Sequence, residues 1–287
     1  MYRGRFAPTP SGPLHAGSLL TAVASWLDAR AAGGQWWVRV DDLDQARAVP
    51  GAAATQLRQL EQHGLCWDGT VQYQSQRCPR YQAAVEELLA AGHAFYCSLS
   101  RKDLSACGGL HPGAAAAQPA DLRDAAVRLR VPAQPHCIHD RLQGDHWVDL
   151  AACGGPFVIR RRDGIPAYQL ACALDDVDDG MTDVLRGIDL LDSTHRQCLV
   201  MEALGCAPPR YGHLPVVVDR SGHKLSKSAG AAALSTDVSA NLMQTLQRLR
   251  LTPPAALTGA PVAELLAWAL PHWQSECLCG LASVPAD

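Results

Sequence analysis

No run of apolar residues in this 287-residue chain is long enough to span a bilayer. Its first residues, MYRGRFAPTPSG, carry neither the apolar core of a secretion signal nor the Arg/Ser pattern of an organellar transit peptide. Those absences point to a cytoplasmic protein. The eleven cysteines lack regular spacing, and their odd number excludes a fully paired internal disulfide framework, which fits a reducing compartment. A surplus of positive charge is also missing. With a formal net charge of −3, any nucleic-acid contact has to come from local basic patches rather than a globally attractive field. No internal repeat is evident. What the chain does have is 48% hydrophobic residues, enough for a core in one or two domains.

Residues 3–7 read as a short strand. A Pro/Gly/Ser loop follows, then a helix with Leu20, Val23 and Leu27 at helical spacing, ended by Gly33 and Gly34. Trp36 to Val40 is aromatic and β-branched, as a buried strand is, and Asp41, Asp42 and Asp44 follow it. This βαβ unit puts the first loop and the Asp cluster beyond the carboxyl ends of parallel strands, where open α/β sheets bind ligands. Helical patterns return at Leu57–Leu60 and at Tyr81, Val85, Leu88 and Leu89. Between Cys97 and about Gly155 an alanine run, prolines and an alternation at Val127, Leu129 and Val131 suggest an inserted subdomain. A β pattern is expected over Phe157–Ile159, through a turn at Asp163-Gly164, and on through Tyr168–Leu174. A helix near Thr194, a strand at Leu214–Val218 and a helical tail from Asp237 complete the chain.

Two loops carry the chemistry. Arg5 to Ser18 (RFAPTPSGPLHAGS) lies between a strand and a helix, where backbone N–H groups and the positive helix end favour phosphate. Gly17 permits close approach of a nucleotide, and His15 can hydrogen-bond the phosphate under attack. Lys224-Leu225-Ser226-Lys227-Ser228 follows a strand, with two lysines placed to neutralise departing pyrophosphate. A His-x-Gly loop alone is usually an ordinary capped turn, and a Lys/Ser loop alone a solvated one; their pairing in this order across a βαβ unit reverses those odds.

These two loops resemble the HIGH and KMSKS signatures of class I aminoacyl-tRNA synthetases of the glutamyl/glutaminyl branch. Arg39-Val40-Asp41-Asp42-Leu43-Asp44 is similar to that branch's Arg-Ile-Glu-Asp-Leu-Asp segment, and Val184 to Leu191 to its second amino-acid-binding stretch. The resemblance implies an α/β fold: a Rossmann-like parallel sheet in residues 1–96 and 156–230, an inserted α+β subdomain in 97–155, and a short helical segment in 231–287. It implies catalytic roles for His15 and Lys227, ATP binding by His15, Gly17, Ser18, Lys224 and Lys227, and glutamate binding by Arg5, Ala7, Thr9, Asp41, Tyr168 and Arg186. The set is chemically coherent, because glutamate brings two carboxylates and one ammonium, to be met by two cations and an anion. Tyr168 as a packed aromatic and Asp41 as a solvent-facing carboxylate are the plain alternatives.

Two departures from the branch matter. Asp41 stands where the glutamate enzymes usually carry Glu, as in the glutamine enzymes. Arg186 argues for glutamate, since an unpaired guanidinium beside a neutral amide is costly in a desolvated pocket. The short glutamyl-queuosine tRNA(Asp) synthetase family, which the chain also resembles in ending soon after Ser228, often holds zinc in the insert through Cys-x-Cys, Tyr and a further Cys. Here that run reads Cys97-Ser98-Leu99, then His111 and Ala115, and Leu99 and Ala115 cannot donate. Cys107, His136, Cys137 and His139 are the other candidate donors, and no zinc is expected. Arg160-Arg161-Arg162 is a basic run that suits either an RNA backbone or a solvated strand face.

The resemblance implies activation of L-glutamate with ATP and Mg²⁺, and transfer to the queuosine of tRNA(Asp), by a monomer with no membrane partner. A truncated glutamyl-tRNA synthetase charging a tRNA 3′ end, a small-molecule acyl-adenylate ligase and a non-catalytic RNA-binding relic are the competing readings.

Overall fold

The computed structural model describes residues 1–114, 121–122, 125–225 and 233–286. The N-terminal half follows the hydrophobic pattern closely. Strand β1 (Arg3–Phe6) leads into helix α1 (Ala16–Ala31), and Gly33 takes the left-handed conformation (φ 60°) that lets the chain leave α1. Strand β2 (Gln35–Val40) returns parallel to β1, with Arg5 opposite Trp37. Helix α2 (Ala52–Gln62) and the two-residue strand β3 (Gln72–Tyr73) extend the ladder in the order β1-β2-β3. Trp36 is fully buried, and its indole N–H donates to Ser25 Oγ of α1 at 2.9 Å, so the aromatic packs without leaving an orphaned donor.

Helix α3 (Cys78–Ala90) precedes β4 (Ala94–Cys97) and the short α4 (Arg101–Ala106). Strands β5 (Ala126–Leu129), β6 (His136–Asp140), β7 (Gly144–Val148) and β8 (Phe157–Arg160) make this middle region antiparallel: β4-β5-β8 form one sheet and β6-β7 a hairpin. The expected turn at Asp163-Gly164 is present, with Gly164 at φ 83°. The strand expected over Tyr168–Leu174 is not. That stretch is the first part of helix α5 (Tyr168–Asp178). A short continuous apolar run reads the same whether it is a buried strand or a helix buried on all sides, and Leu170 to Leu174 is buried at every position.

Strand β9 (Asp183–Gly187) follows, then α6 (Leu191–Ala203), β10 (Arg210–Leu214) and β11 (Val216–Val218), with Pro215 separating the last two. β9 and β10 are parallel, and Thr182 N donates to Arg3 O at 2.9 Å, bringing this ladder alongside β1. Helices α7 (Val238–Arg248) and α8 (Val262–His272) lead to β12 (Ser283–Pro285), which pairs parallel to β11. Leu242, Leu246, Leu265 and Leu266 pack in the same buried cluster as Leu20, Val23 and Leu27 of α1. A second cluster joins α3, α5 and α6 to the β4-β5-β8 sheet. Among the described residues no helix is long and apolar enough to cross a membrane.

Candidate active site

A cavity of about 580 Å³ opens beyond the ends of β1 and β9. Its walls include Arg5, Ala7, Thr9, His15, Gly17, Ser18, Tyr168, Arg186 and Lys224, so nine of the eleven residues expected from sequence share one space. Lys227 lies outside the described residues, and Asp41 is not among the lining residues.

At one end the loop before α1 is built to present the helix N-terminus. His15 caps α1: its Nδ1 accepts from Gly17 N (3.1 Å) and Ser18 N (3.3 Å), while Ser18 Oγ accepts from His15 N at 2.8 Å. An imidazole whose Nδ1 accepts carries its proton on Nε2 when neutral, which fixes that nitrogen as a donor. A Cβ on Gly17 would meet His15 Cε1 at 3.2 Å, so the missing side chain keeps the ring in its capping pose. The loop itself is held from α2, where Gln56 Nε2 donates to Thr9 O (3.0 Å) and Gly12 O (2.7 Å), and Gln59 Oε1 accepts from Leu14 N (2.8 Å). Nothing in the spacing of α2 marked those glutamines. Lys224 Nζ lies 2.5 Å from Asp189 Oδ2 at the rim.

The other end is cationic over a buried ionic layer. Arg5 donates from Nε and Nη2 to the two oxygens of Asp176 (3.1 and 2.8 Å). Arg39 bridges Asp176 Oδ1 (2.6 Å) and Asp41 Oδ1 (2.8 Å). Tyr168, Cys172 and Asp176 recur every four residues, so helix α5 aligns them on one face toward the arginines. A strand would have split them. Burial pushes the Asp176 carboxyl up, but Arg5 and Arg39 outweigh it and hold its pKa far below the ordinary value. For Asp41 burial prevails over Arg39, and its pKa is raised. Asp41 therefore belongs to the layer beneath the cavity rather than its wall, and its backbone N–H donates to Pro8 O at 3.0 Å. Asp175 and Asp176 went unread in the sequence, and Arg39 was read only as part of its motif run, because buried charges look like surface charges until their partners are known.

Arg186 is 3% exposed and reaches the cavity from β9, with its guanidinium 4.7 Å from the centre of the Tyr211 ring. Its Nη1 donates to Gln197 Oε1 at 2.6 Å, its Nη2 to Thr194 Oγ1 at 2.5 Å, and its Nε to His213 Nε2 at 3.3 Å.

Residues 1–110 and 107–252 match the family of class I tRNA synthetases (E and Q), catalytic domain. Over its whole length the chain is 49% identical to the Glutamyl-Q tRNA(Asp) synthetase of Pseudomonas aeruginosa, covering 98% of that protein. It belongs to the glutamyl-Q tRNA(Asp) synthetase family. The family member from Methylococcus capsulatus is 48% identical over 95% of this chain and 91% of its own. A glutamate tRNA ligase from Elizabethkingia meningosepticum is 22% identical and shares the fold, with a TM-score of 0.83 over all of this chain and 67% of that one.

In this member of the glutamyl-Q tRNA(Asp) synthetase family the zinc-type run of the insert brings two possible donors together among the described residues. Cys97 Sγ lies 3.3 Å from His111 Nε2, and His111 Nδ1 accepts from Gly113 N at 3.1 Å. Leu99 packs with Phe95 and Cys97 instead of donating, and Ala115 lies outside the described residues. Two donors do not make a closed structural site, which takes four. Among the described residues, the three possible metal donors whose ligand atoms all lie within 4.8 Å of one another are Cys137, His139 and Asp145, on the outer face of the β6-β7 hairpin. There His139 and Asp145 form an exposed ion pair at 2.7 Å, and no metal role is assigned to them. All eleven cysteines are free thiols.

Proposed function

We propose that this chain activates L-glutamate with ATP and transfers it to the queuosine of tRNA(Asp). The observation that carries the reading is that one cavity has a capped helix N-terminus with an imidazole donor at one end and a pair of held guanidinium groups at the other. Glutamate lies with its side-chain carboxylate toward Arg186 and its α-carboxylate directed at the ATP α-phosphorus, with Arg5, Ala7, Thr9 and Tyr168 enclosing it. Asp41 acts through Arg39 and the ionic layer, drawing the ammonium by field rather than by contact. The α-carboxylate displaces pyrophosphate, forming glutamyl-adenylate. His15 Nε2–H and the N–H groups at the start of α1 stabilise charge at the phosphate, next to Gly17 and Ser18. Lys224 leaves Asp189 for the departing phosphates, assisted by Lys227, and ATP brings Mg²⁺ as part of the substrate. A hydroxyl of the queuosine cyclopentene-diol then attacks the adenylate carbonyl, releasing AMP. No enzyme nucleophile is needed, because positioning and electrostatics supply the catalysis.

The names of the similar proteins support the acceptor, and the two cations support glutamate over glutamine. Glutamate is expected to support ATP–pyrophosphate exchange without tRNA and with higher catalytic efficiency than glutamine. Labelled glutamate should then pass to tRNA(Asp) carrying queuosine and not to tRNA(Asp) lacking it. Transfer to the terminal adenosine of tRNA(Glu), with none to queuosine, would replace this reading by a truncated glutamyl-tRNA synthetase. Transfer to an amine without any tRNA would replace it by a small-molecule ligase.

A further inference from the structure

Behind Arg186 lies a buried relay that the sequence motifs do not contain. Asp140, at the end of β6, is 5% exposed, and its Oδ2 lies 2.5 Å from Nδ1 of the fully buried His213 on β10. Its Oδ1 accepts from the backbone N–H groups of Leu142 (3.0 Å), Gln143 (2.9 Å) and His213 (3.1 Å). Burial alone would push this carboxyl up, but the His213 bond and those N–H groups hold its pKa below the ordinary value. An ionised Asp140 can only accept, so His213 must place a proton on Nδ1. Its Nε2 is then a lone pair, aimed at Arg186 Nε (3.3 Å) and Thr194 Oγ1 (2.8 Å).

We propose that Asp140 and His213 are positioning residues for the amino-acid pocket. They fix the imidazole tautomer that accepts from Arg186, and so aim the guanidinium at the substrate carboxylate. The inference rests on reading Arg186 as the cation for glutamate. Its physical content is directional. With the proton on Nε2, His213 would oppose its own N–H to that of Arg186, and the third anchor of the guanidinium would become a repulsion. Arg186 has five N–H donors, and three of them are taken by His213, Thr194 and Gln197, one from each nitrogen. Each terminal nitrogen thus keeps a second N–H beyond these bonds, which suits a two-pronged grip on a carboxylate. Loosening the Nε anchor lets the planar group rotate and spoils that grip while leaving the ATP end untouched. The charged and titratable groups facing His213 are Asp140 from β6, Arg186 from β9, Asp189 from the turn after β9, and Tyr211 on its own strand. Burial lowers the His213 pKa more than Asp140 raises it, so near neutrality the ring is the neutral acceptor the relay requires.

The test is glutamate-dependent pyrophosphate exchange by wild type and by the Asp140→Asn, His213→Phe, His213→Gln and Arg186→Ala variants. Glutamine Oε1 falls near the Nε2 position and can accept from Arg186, whereas phenylalanine cannot. Loss of a bond that orients a charged group raises KM for glutamate about tenfold in His213→Phe and Asp140→Asn, with kcat and KM for ATP little changed. His213→Gln is expected to recover most of the loss. Wild-type KM for glutamate should also rise on acidification from pH 7, and His213→Gln should abolish that rise. An unchanged KM in His213→Phe and Asp140→Asn while Arg186→Ala raises it would overturn the relay alone. An inert Arg186→Ala would overturn the pocket reading and the relay with it. Equal damage to the ATP and glutamate parameters in all three relay variants would show a merely structural role, and also overturn the relay.

Discussion

His15 illustrates how a single side chain ties folding to chemistry. As the cap of α1 it satisfies two backbone donors, and by doing so it commits its proton to Nε2, the nitrogen a phosphate would meet. The two tasks can be separated. His15→Asn keeps a good capping side chain without the distal donor, whereas His15→Ala removes both. The Ala variant should lose about 1 kcal/mol of stability. The Asn variant should melt close to wild type, yet exchange pyrophosphate about 100-fold more slowly, the order expected for one lost charge-stabilising donor. Thermal melts and exchange assays on the two proteins check this, and an Asn variant with wild-type exchange would remove His15 from the chemistry. His15 was legible from sequence because its neighbours are local: strand, loop, helix start. Asp140 and His213 were not, because they meet across a sequence separation of 73 residues and stand in no motif.

At the scale of elements, the β6-β7 hairpin was the least legible part, lying in a stretch whose texture announced only a change. It sets a chain of three imidazoles against α6. His136 Nδ1 and His146 Nδ1 each lie 2.8 Å from one nitrogen of the fully buried His195, and His136 Nε2 lies 3.3 Å from Glu202 Oε1. Burial first, and the two neighbouring histidines second, push the His195 pKa down from 6.5 to about 4. Between those values the unfolded chain binds a proton that the folded chain refuses. Stability is therefore complete above about pH 6.5 and is lost as the pH falls toward 4. The melting temperature should drop across that window, and less steeply in a His195→Gln variant. A parallel slope in the two proteins would show that His195 is not the group responsible. α5 teaches the converse lesson about pattern. Its apolar run was visible, but only the helical spacing of Tyr168, Cys172 and Asp176 explains why the buried arginines find a partner.

The insert also bears on metal. A closed zinc site contributes directly to folding, so its removal is plainly seen. Cys97 and His111 meet, but a leucine packs where a further donor would be needed. The purified protein is expected to hold no stoichiometric zinc and to melt at the same temperature with and without a chelator. One tightly held zinc per chain by elemental analysis would show that donors outside this run complete a site.

Across the whole molecule, the parallel pair β1-β2 and α1 could be anticipated from the run Trp36 to Val40 and from Leu20, Val23 and Leu27, whereas the β9-β10 ladder was not read as strands. Where the C-terminal helices go could not, since their periodicity states that one face is buried and not against what. They are buried against α1. Leu242 and Leu246 of α7 and Leu265 of α8 are fully buried in the cluster that holds the helix bearing His15. The consequence is mechanical: the far end of the chain supports the helix whose N-terminus meets phosphate. Leu246→Ala should cost about 2–5 kcal/mol, the range for a leucine deleted from a packed core. Because the cluster is shared, that loss should lower the transition followed by tryptophan fluorescence and the temperature at which pyrophosphate exchange fails by the same amount. If fluorescence reported an early melting of α7 and α8 while exchange persisted to the wild-type temperature, the C-terminal helices would be an independent unit, and α1 would draw its support from the sheet alone.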